Sequence, residues 1–200
     1  MAGQRKTRLD RADWLEAAIQ SLAEGGISEV SIEKLAAGLG VTRGSFYHHF
    51  RDRADLLREM LGYWTQKWTL DIREDIRALG LDPRNTLLAL IRAVRHRRGA
   101  QYDVVFRAWA LHDPTARDVV EQVDETRLAY IRTLFEDMGF GPLDVENRAR
   151  LCLYYEMAEP TMFAAQATEL EDRLIVERHR LLTTDNPADS QPSQQDEEKR

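Results

Sequence analysis

A single cysteine, six prolines and eleven glycines are spread over 200 residues, and each scarcity removes a class of architecture. With Cys152 alone, an intrachain disulfide and any multi-cysteine zinc site are excluded. Within the run Leu151-Cys152-Leu153 it reads as a small core residue rather than a reactive thiol. No stretch approaches the roughly 18 apolar residues of a membrane-spanning helix. The opening MAGQRKTRLDRADW carries charges where a secretion signal would have its apolar core. A cytoplasmic protein with no membrane partner is therefore expected. Positive charge is not in excess either: 28 Lys and Arg stand against 34 Asp and Glu, a net charge of −6. That balance argues against non-specific coating of nucleic acid and leaves room for a local basic face.

What the sequence does hold is apolar residues at helical spacing, with most prolines and glycines falling between such segments and no sustained strand-like alternation. The fold expected is all-α, with about nine helices. A three-helix unit should occupy residues 1–55 and a larger helical unit 56–184. The stretch 185–200, with two prolines, an acidic excess and no apolar periodicity, reads as a disordered tail.

Asp10 is placed to cap a first helix to Glu24, with Gly25-Gly26 for the exit and Trp14, Leu15, Ala18, Ile19 and Leu22 on one face. Ser31 caps a second helix bearing Ile32, Leu35, Ala36 and Leu39, and Gly40 ends it. Thr42 caps a third, with Val41 and Phe46 spaced as a hydrophobic staple. Asp52 caps a long fourth helix whose apolar stripe runs Leu57, Leu61, Trp64, Trp68, Ile72, Ile76. Further helices are expected from Pro83 to Arg98, around Tyr102 to Trp109, after Pro114, from Asp144 to Gln166 with Pro160 kinking or splitting it, and from the capping box Thr168-Glu169-Leu170-Glu171 to Thr183.

Two short helices joined by Gly40-Val41-Thr42 have the sequence form of a helix-turn-helix. Around a helix at about 100° per residue, Phe46 and Phe50 point inward. Gly44, Ser45, Tyr47 and His48 point outward or sideways, with Arg43 at the start. Such a face suits a nucleic-acid groove. Arg43 is able to grip guanine O6 and N7, Thr42 and Ser45 to bond a base edge or phosphate, and Tyr47 and His48 to reach phosphate or base. Ser31 and Arg53, at the starts of the flanking helices, would clamp the two backbones. Ser31 and Thr42 are caps in any case, and Arg53 has the alternative of a solvated charge.

Residues about 10–57, above all ISEVSIEKLAAGLGVTRGSFYHHFRDRADLL, closely resemble the N-terminal DNA-binding domain of the TetR/AcrR family of bacterial transcriptional regulators. The likeness rests on the Gly25-Gly26 break, the Ile32/Leu35/Ala36/Leu39 stripe, Gly40-Val41, the Phe46-Tyr47-His48-His49-Phe50 block and the helix start from Asp52 to Leu57. It implies that Thr42 to His48 form the recognition helix, that Tyr47 and the basic residue at 53 hold phosphates, and that a dimer binds a palindromic double-stranded operator. The chain departs from the family's frequent aromatic at 48 and Lys at 53. His49 lies at the core edge, open to contact or to packing. Arg5, Lys6 and Arg8 are either a groove-reaching arm or a solvated one.

Such a regulator needs a sensor, so residues 56–184 are read as a ligand-binding and dimerisation domain. Trp64, Trp68, Tyr102, Phe106 and Trp109 form an aromatic group that either fills the core or lines a cavity for a largely apolar effector. Tyr130, Tyr155 and His96 are its candidate polar contacts. The basic run Arg92, Arg95, His96, Arg97 and Arg98 suits either a helix C-terminus or an anionic head group. Leu153, Met157, Leu170, Leu174 and Leu181 on the last two helices suggest a homodimer through a four-helix bundle. The competing class is an all-helical metal- or cofactor-binding enzyme. Against it, no histidine has a Glu three residues before it, and H-E-x-x-H, G-x-S-x-G, P-loop and G-x-G-x-x-G are all missing. The expectation is a ligand-responsive repressor without cofactor, metal or catalytic residues.

Overall fold

Asp10 and Asp13 begin the first helix by exchanging bonds: Asp13 N donates to Asp10 Oδ1 at 3.0 Å and Asp10 N to Asp13 Oδ2 at 2.7 Å. This reciprocal cap satisfies two amides that the helix itself leaves unpaired. Helix α1 (Arg11–Gly25) ends at Gly26, whose φ of 77° suits glycine. In this computed structural model, which describes residues 9–96, 99–162 and 169–184, the chain continues through α2 (Ile32–Gly38), α3 (Arg43–Phe46) and α4 (Arg53–Thr65). A π turn (Gln66–Leu70) leads directly into α5 (Asp71–Ala78). Then follow α6 (Pro83–His96), α7 (Gly99–Ala110), α8 (Pro114–Asp137), α9 (Pro142–Met162) and α10 (Glu169–Thr183). No strand occurs among the described residues.

The expected fourth helix is thus α4, the π turn and α5 in succession. The stripe explains the insertion. Trp64, Trp68, Ile72 and Ile76 recur every four residues, and on an α-helix each such step drifts by about 40°. A π turn, with its wider i to i+5 bond, absorbs part of that drift; the bond runs from Asp71 N–H to Gln66 O. All four side chains are buried. The later helix also differs from expectation, since α9 is continuous past Pro160 to Met162. Arg5, Lys6, Arg8, Arg97, Arg98, Thr168 and the stretch 185–200 lie outside the described residues.

Two apolar cores hold the helices. The first runs from Trp14, Leu22, Phe46 and Phe50 through Leu56, Met60 and Trp64 to Phe106, Trp109, Ala116 and Val123. It crosses the expected boundary at 55/56 without a break, and α7 packs on α1. The second joins α6, the end of α8, α9 and α10 through Leu87, Ile91, Phe135, Ala149, Cys152 and Ile175. Cys152 is buried, and that burial pushes its thiol up to about 12. Buried side chains of this size contribute about 1.5–3 kcal/mol each, so the first core couples the N-terminal helices mechanically to α4 and α7.

Candidate functional site

The outward face around α3 follows from where its aromatics go. Phe46 is fully buried, its ring 5.4 Å from Trp14 edge-on and stacked on Phe50 at 5.3 Å. With these two anchored, Thr42, Arg43, Gly44, Tyr47 and His48 are exposed and Ser45 and His49 half-buried. Tyr47 keeps 53 % of its surface in solvent. The α-helical part is only four residues long. Phe46 O accepts from both His49 N (2.9 Å) and Phe50 N (3.0 Å), which extends the turn to Phe50 in tighter form.

The caps divide. Ser31 Oγ accepts from Lys34 N at 3.3 Å and Asp52 Oδ1 from Asp55 N at 2.8 Å, as expected. Thr42 stands at the start of α3 and is exposed, but makes no side-chain cap bond. Arg43 reaches Glu33 at 3.0 Å, an exposed pair worth little in water. Arg53 is placed differently from a simple clamp. Its Nε donates to Val30 O at 2.6 Å and its Nη2 to Ile27 O at 2.7 Å. Two of its five donors therefore brace the α1–α2 turn, whose carbonyls no helix satisfies. Next to it, Asp55 accepts from Arg51 N and from the Arg51 and Arg58 guanidinia. These bonds, the Arg51 amide first, hold its carboxyl down at about 2.

Deeper in the chain is a cavity of about 70 Å³. Ile72, Leu90, Ile91, Val94, Ile131, Leu153 and Met157 make it apolar, and Trp68 and Thr69 of the π turn form one wall. At its edge Arg127 Nη1 donates to Asp103 Oδ2 (2.6 Å), Nη2 to Asp103 Oδ1 (3.2 Å) and Nε to Thr69 Oγ1 (3.0 Å), while Trp64 Nε1 donates to Asp103 Oδ1 (3.1 Å). One buried ion pair thus ties α4, the π turn, α7 and α8.

Of the eight residues expected to meet a ligand, Trp68 and Tyr130 line this cavity and the others do not. Trp64 is stacked on Phe106 at 4.6 Å and Phe106 abuts Trp109, all three packed into the first core. Their large rings fill space that the helices leave, so they have no free face. Tyr102 leans on Trp68, 4.9 Å away. Tyr155 lies under Arg178 with its hydroxyl on Glu159, and His96 is exposed at the end of α6. Within the basic run, Arg95 is surrounded by Glu156, Glu159 and Glu171, which leaves it no charge to offer an anion, while Arg92 is exposed. Leu153 and Met157 face the interior, whereas Leu170, Leu174 and Leu181 are exposed along α10 and Leu151 and Tyr154 along α9.

Asp103 and Arg127 belong to no motif, but their registers carry a signal. Arg127 occupies the apolar register Val120, Val123, Arg127, Ile131, Leu134, and Asp103 sits one turn before Phe106. Charges in such registers must find partners inside. Among the described residues, no three His, Cys, Asp or Glu side chains are grouped to hold a metal ion, and no helix is long and apolar enough to cross a membrane.

Comparison with known proteins agrees with this arrangement. Residues 15–60 match the profile of bacterial regulatory proteins of the tetR family. A stretch of 134 residues, 67 % of this chain and 63 % of the relative, is 28 % identical to the HTH-type transcriptional repressor KstR2 of Rhodococcus jostii (strain RHA1). Sixty residues, 28 % of each chain, are 37 % identical to the HTH-type transcriptional regulator AcrR of Shigella flexneri. The matched stretches thus span less than two thirds of these relatives. In three dimensions, the transcriptional regulator FadR from Bacillus subtilis, solved with stearoyl-CoA, superposes with a TM-score of 0.66 over 88 % of this chain and 98 % of that one, at 17 % identity. That likeness concerns the fold.

Proposed function

From the match of residues 15–60 to the tetR-family profile and the stretch shared with the repressor KstR2, we propose that the chain is a ligand-responsive transcriptional repressor of the TetR family without catalytic activity of its own. The observation that carries this reading is the exposed polar face Thr42, Arg43, Gly44, Tyr47 and His48, held outward by the burial of Phe46 and Phe50. Arg43 exchanges its exposed Glu33 partner for a guanine edge, Thr42 and Ser45 meet bases or phosphate, and Tyr47 and His48 grip the flanking backbone. Ser31 and Arg53 approach the neighbouring phosphates, Arg53 with the donors its brace leaves over. A homodimer pairing the exposed leucines of α10 and Leu151 and Tyr154 of α9 presents two such faces to a palindromic operator.

The effector is a small, largely apolar molecule in the cavity beside Trp68, Tyr130 and Ile131. It presses on the π turn, continuous with α4, and on the Arg127–Asp103 pair, which is bonded to α4 through Trp64. Displacing α4 moves the recognition helices, and a spacing fixed by the DNA turn does not tolerate a shift of a few ångströms. The protein acts where its DNA is, in the cytoplasm. Selection of bound duplexes from a random pool tests the core of this reading: enrichment of a two-fold symmetric sequence is expected. Recovery of no preferred sequence at physiological salt would reject it.

A further inference from the structure

Tyr130 belongs to two compartments at once. With Arg73 it lines the inner apolar cavity, and the same two residues line an outer, open hollow of about 470 Å³ together with Arg77, Leu81, Pro83, Thr86, Thr133, Leu134 and Asp137. Its phenolic oxygen is buried and has no hydrogen-bond partner. An unpaired buried hydroxyl costs free energy, so it is a place where a ligand group would be welcome. Arg73 and Arg77, one turn apart on α5, both act electrostatically on that phenol. Neither guanidinium makes an ion pair with a described residue, unlike Arg95, Arg107, Arg127 and Arg132 in the same unit. Two cations against the single carboxylate of Asp137 make the hollow a net basic vestibule to an apolar interior.

We infer that the two compartments form one site for an anionic amphiphile: a thin hydrocarbon chain in the inner cavity, and a carboxylate or phosphate on Arg73 and Arg77, with the Tyr130 hydroxyl donating to the same head group. This rests on the reading of the cavity as the effector site and adds the chemical class of the effector. The narrowness of the inner space favours a chain over a fused-ring skeleton, since typical small-molecule pockets are several hundred cubic ångströms. The chemistry also relocates the anionic contact from Arg92 and Arg95, where the sequence pattern had suggested it, to α5.

Calorimetric titration of the full-length protein with octanoate, methyl octanoate, octyl phosphate and inorganic phosphate tests the assignment. Octanoate should bind at least about tenfold more tightly than its ester, the worth of one good charge-assisted contact, and octyl phosphate likewise. In an R73A/R77A variant the acid-to-ester ratio should fall to within about twofold while ester affinity stays. Tyr130→Phe should lower acid affinity alone, and Arg92→Ala should change neither. Equal affinity for acid and ester, or a ratio that survives R73A/R77A, overturns the head-group assignment and leaves the apolar cavity standing. Inorganic phosphate binding as tightly as octyl phosphate overturns the two-compartment site. Failure of acid and ester alike to bind removes the cavity reading itself. Circular dichroism melting of R73A/R77A, whose substitutions lie on a half-buried and an exposed position, confirms that the variant being titrated is folded.

Discussion

Removing Arg127 should be among the most costly single substitutions in the larger helical unit. Arg127→Ala deletes two bonds to Asp103 and one to Thr69, at 2.6, 3.2 and 3.0 Å. It leaves the Asp103 carboxylate, 5 % exposed, with the neutral Trp64 indole N–H as its remaining side-chain donor. Breaking a buried pair from one side costs about 3–5 kcal/mol, because the surviving charge stays out of water. At roughly 2–4 °C per kcal/mol for a chain of this size, the melting temperature should drop by about 6–20 °C. Asp103→Leu combined with Arg127→Met should recover most of the loss, since a buried pair replaced by apolar groups of similar volume is close to neutral. Urea unfolding of Arg127→Ala, and of Arg127→Met, Asp103→Leu and their double variant read as a double-mutant cycle, decides the matter. A cost for Arg127→Ala under about 1 kcal/mol, or a double variant as unstable as the sum of the singles, would refute the description of this pair as a buried tie between α4, α7 and α8.

Other substitutions separate the roles assigned to the outward face and its supports. Arg43→Ala should relax specificity at one base pair, by about 1–3 kcal/mol, in operator-variant binding, whereas Tyr47→Phe should weaken all sequences alike by about 1 kcal/mol. Arg53→Lys should destabilise the protein as well as weaken DNA binding, because an ammonium cannot hold the Val30 and Ile27 carbonyls in the planar fork of a guanidinium; a melting temperature equal to wild type would contradict the brace. The depressed carboxyl of Asp55 contributes stability in full above its ordinary value of 3.8, and that contribution disappears as the pH falls towards about 2. Asp55→Asn should therefore flatten the acid limb of the stability curve in that window, measured by urea midpoints. Leu174→Glu with Leu181→Glu, both at exposed positions of α10, should convert a dimer to a monomer in light scattering.

Much of the N-terminal unit was legible because its determinants are local. A cap three residues before the amide it receives, a glycine at positive φ and an apolar stripe at helical spacing each operate within one turn, so Asp10, Gly26, Ser31 and Asp52 were found where they act. The same periodicity sent Phe46 and Phe50 inward and left Tyr47 and His48 outside. What residue type could not tell was whether Arg53 is free: its partners, Val30 O and Ile27 O, are 23 and 26 residues away.

By itself, the sequence determined the all-helical class, the helix-turn-helix and the polar face that α3 turns outward, since each follows from neighbours along the chain. Tertiary structure alone decided the second half of the reading. A cavity is the space that packing leaves over, and identical aromatic rings fill one gap or line another according to how helices cross. Trp64, Phe106 and Trp109 therefore close the core while Trp68, four residues beyond Trp64 and carried by a π turn, lines the inner cavity. In the same way, Arg95 near the end of α6 was claimed by carboxylates from α9 and α10, whereas Arg73 and Arg77 share their hollow with Tyr130, Thr133, Leu134 and Asp137 of α8, of which Asp137 alone bears a charge.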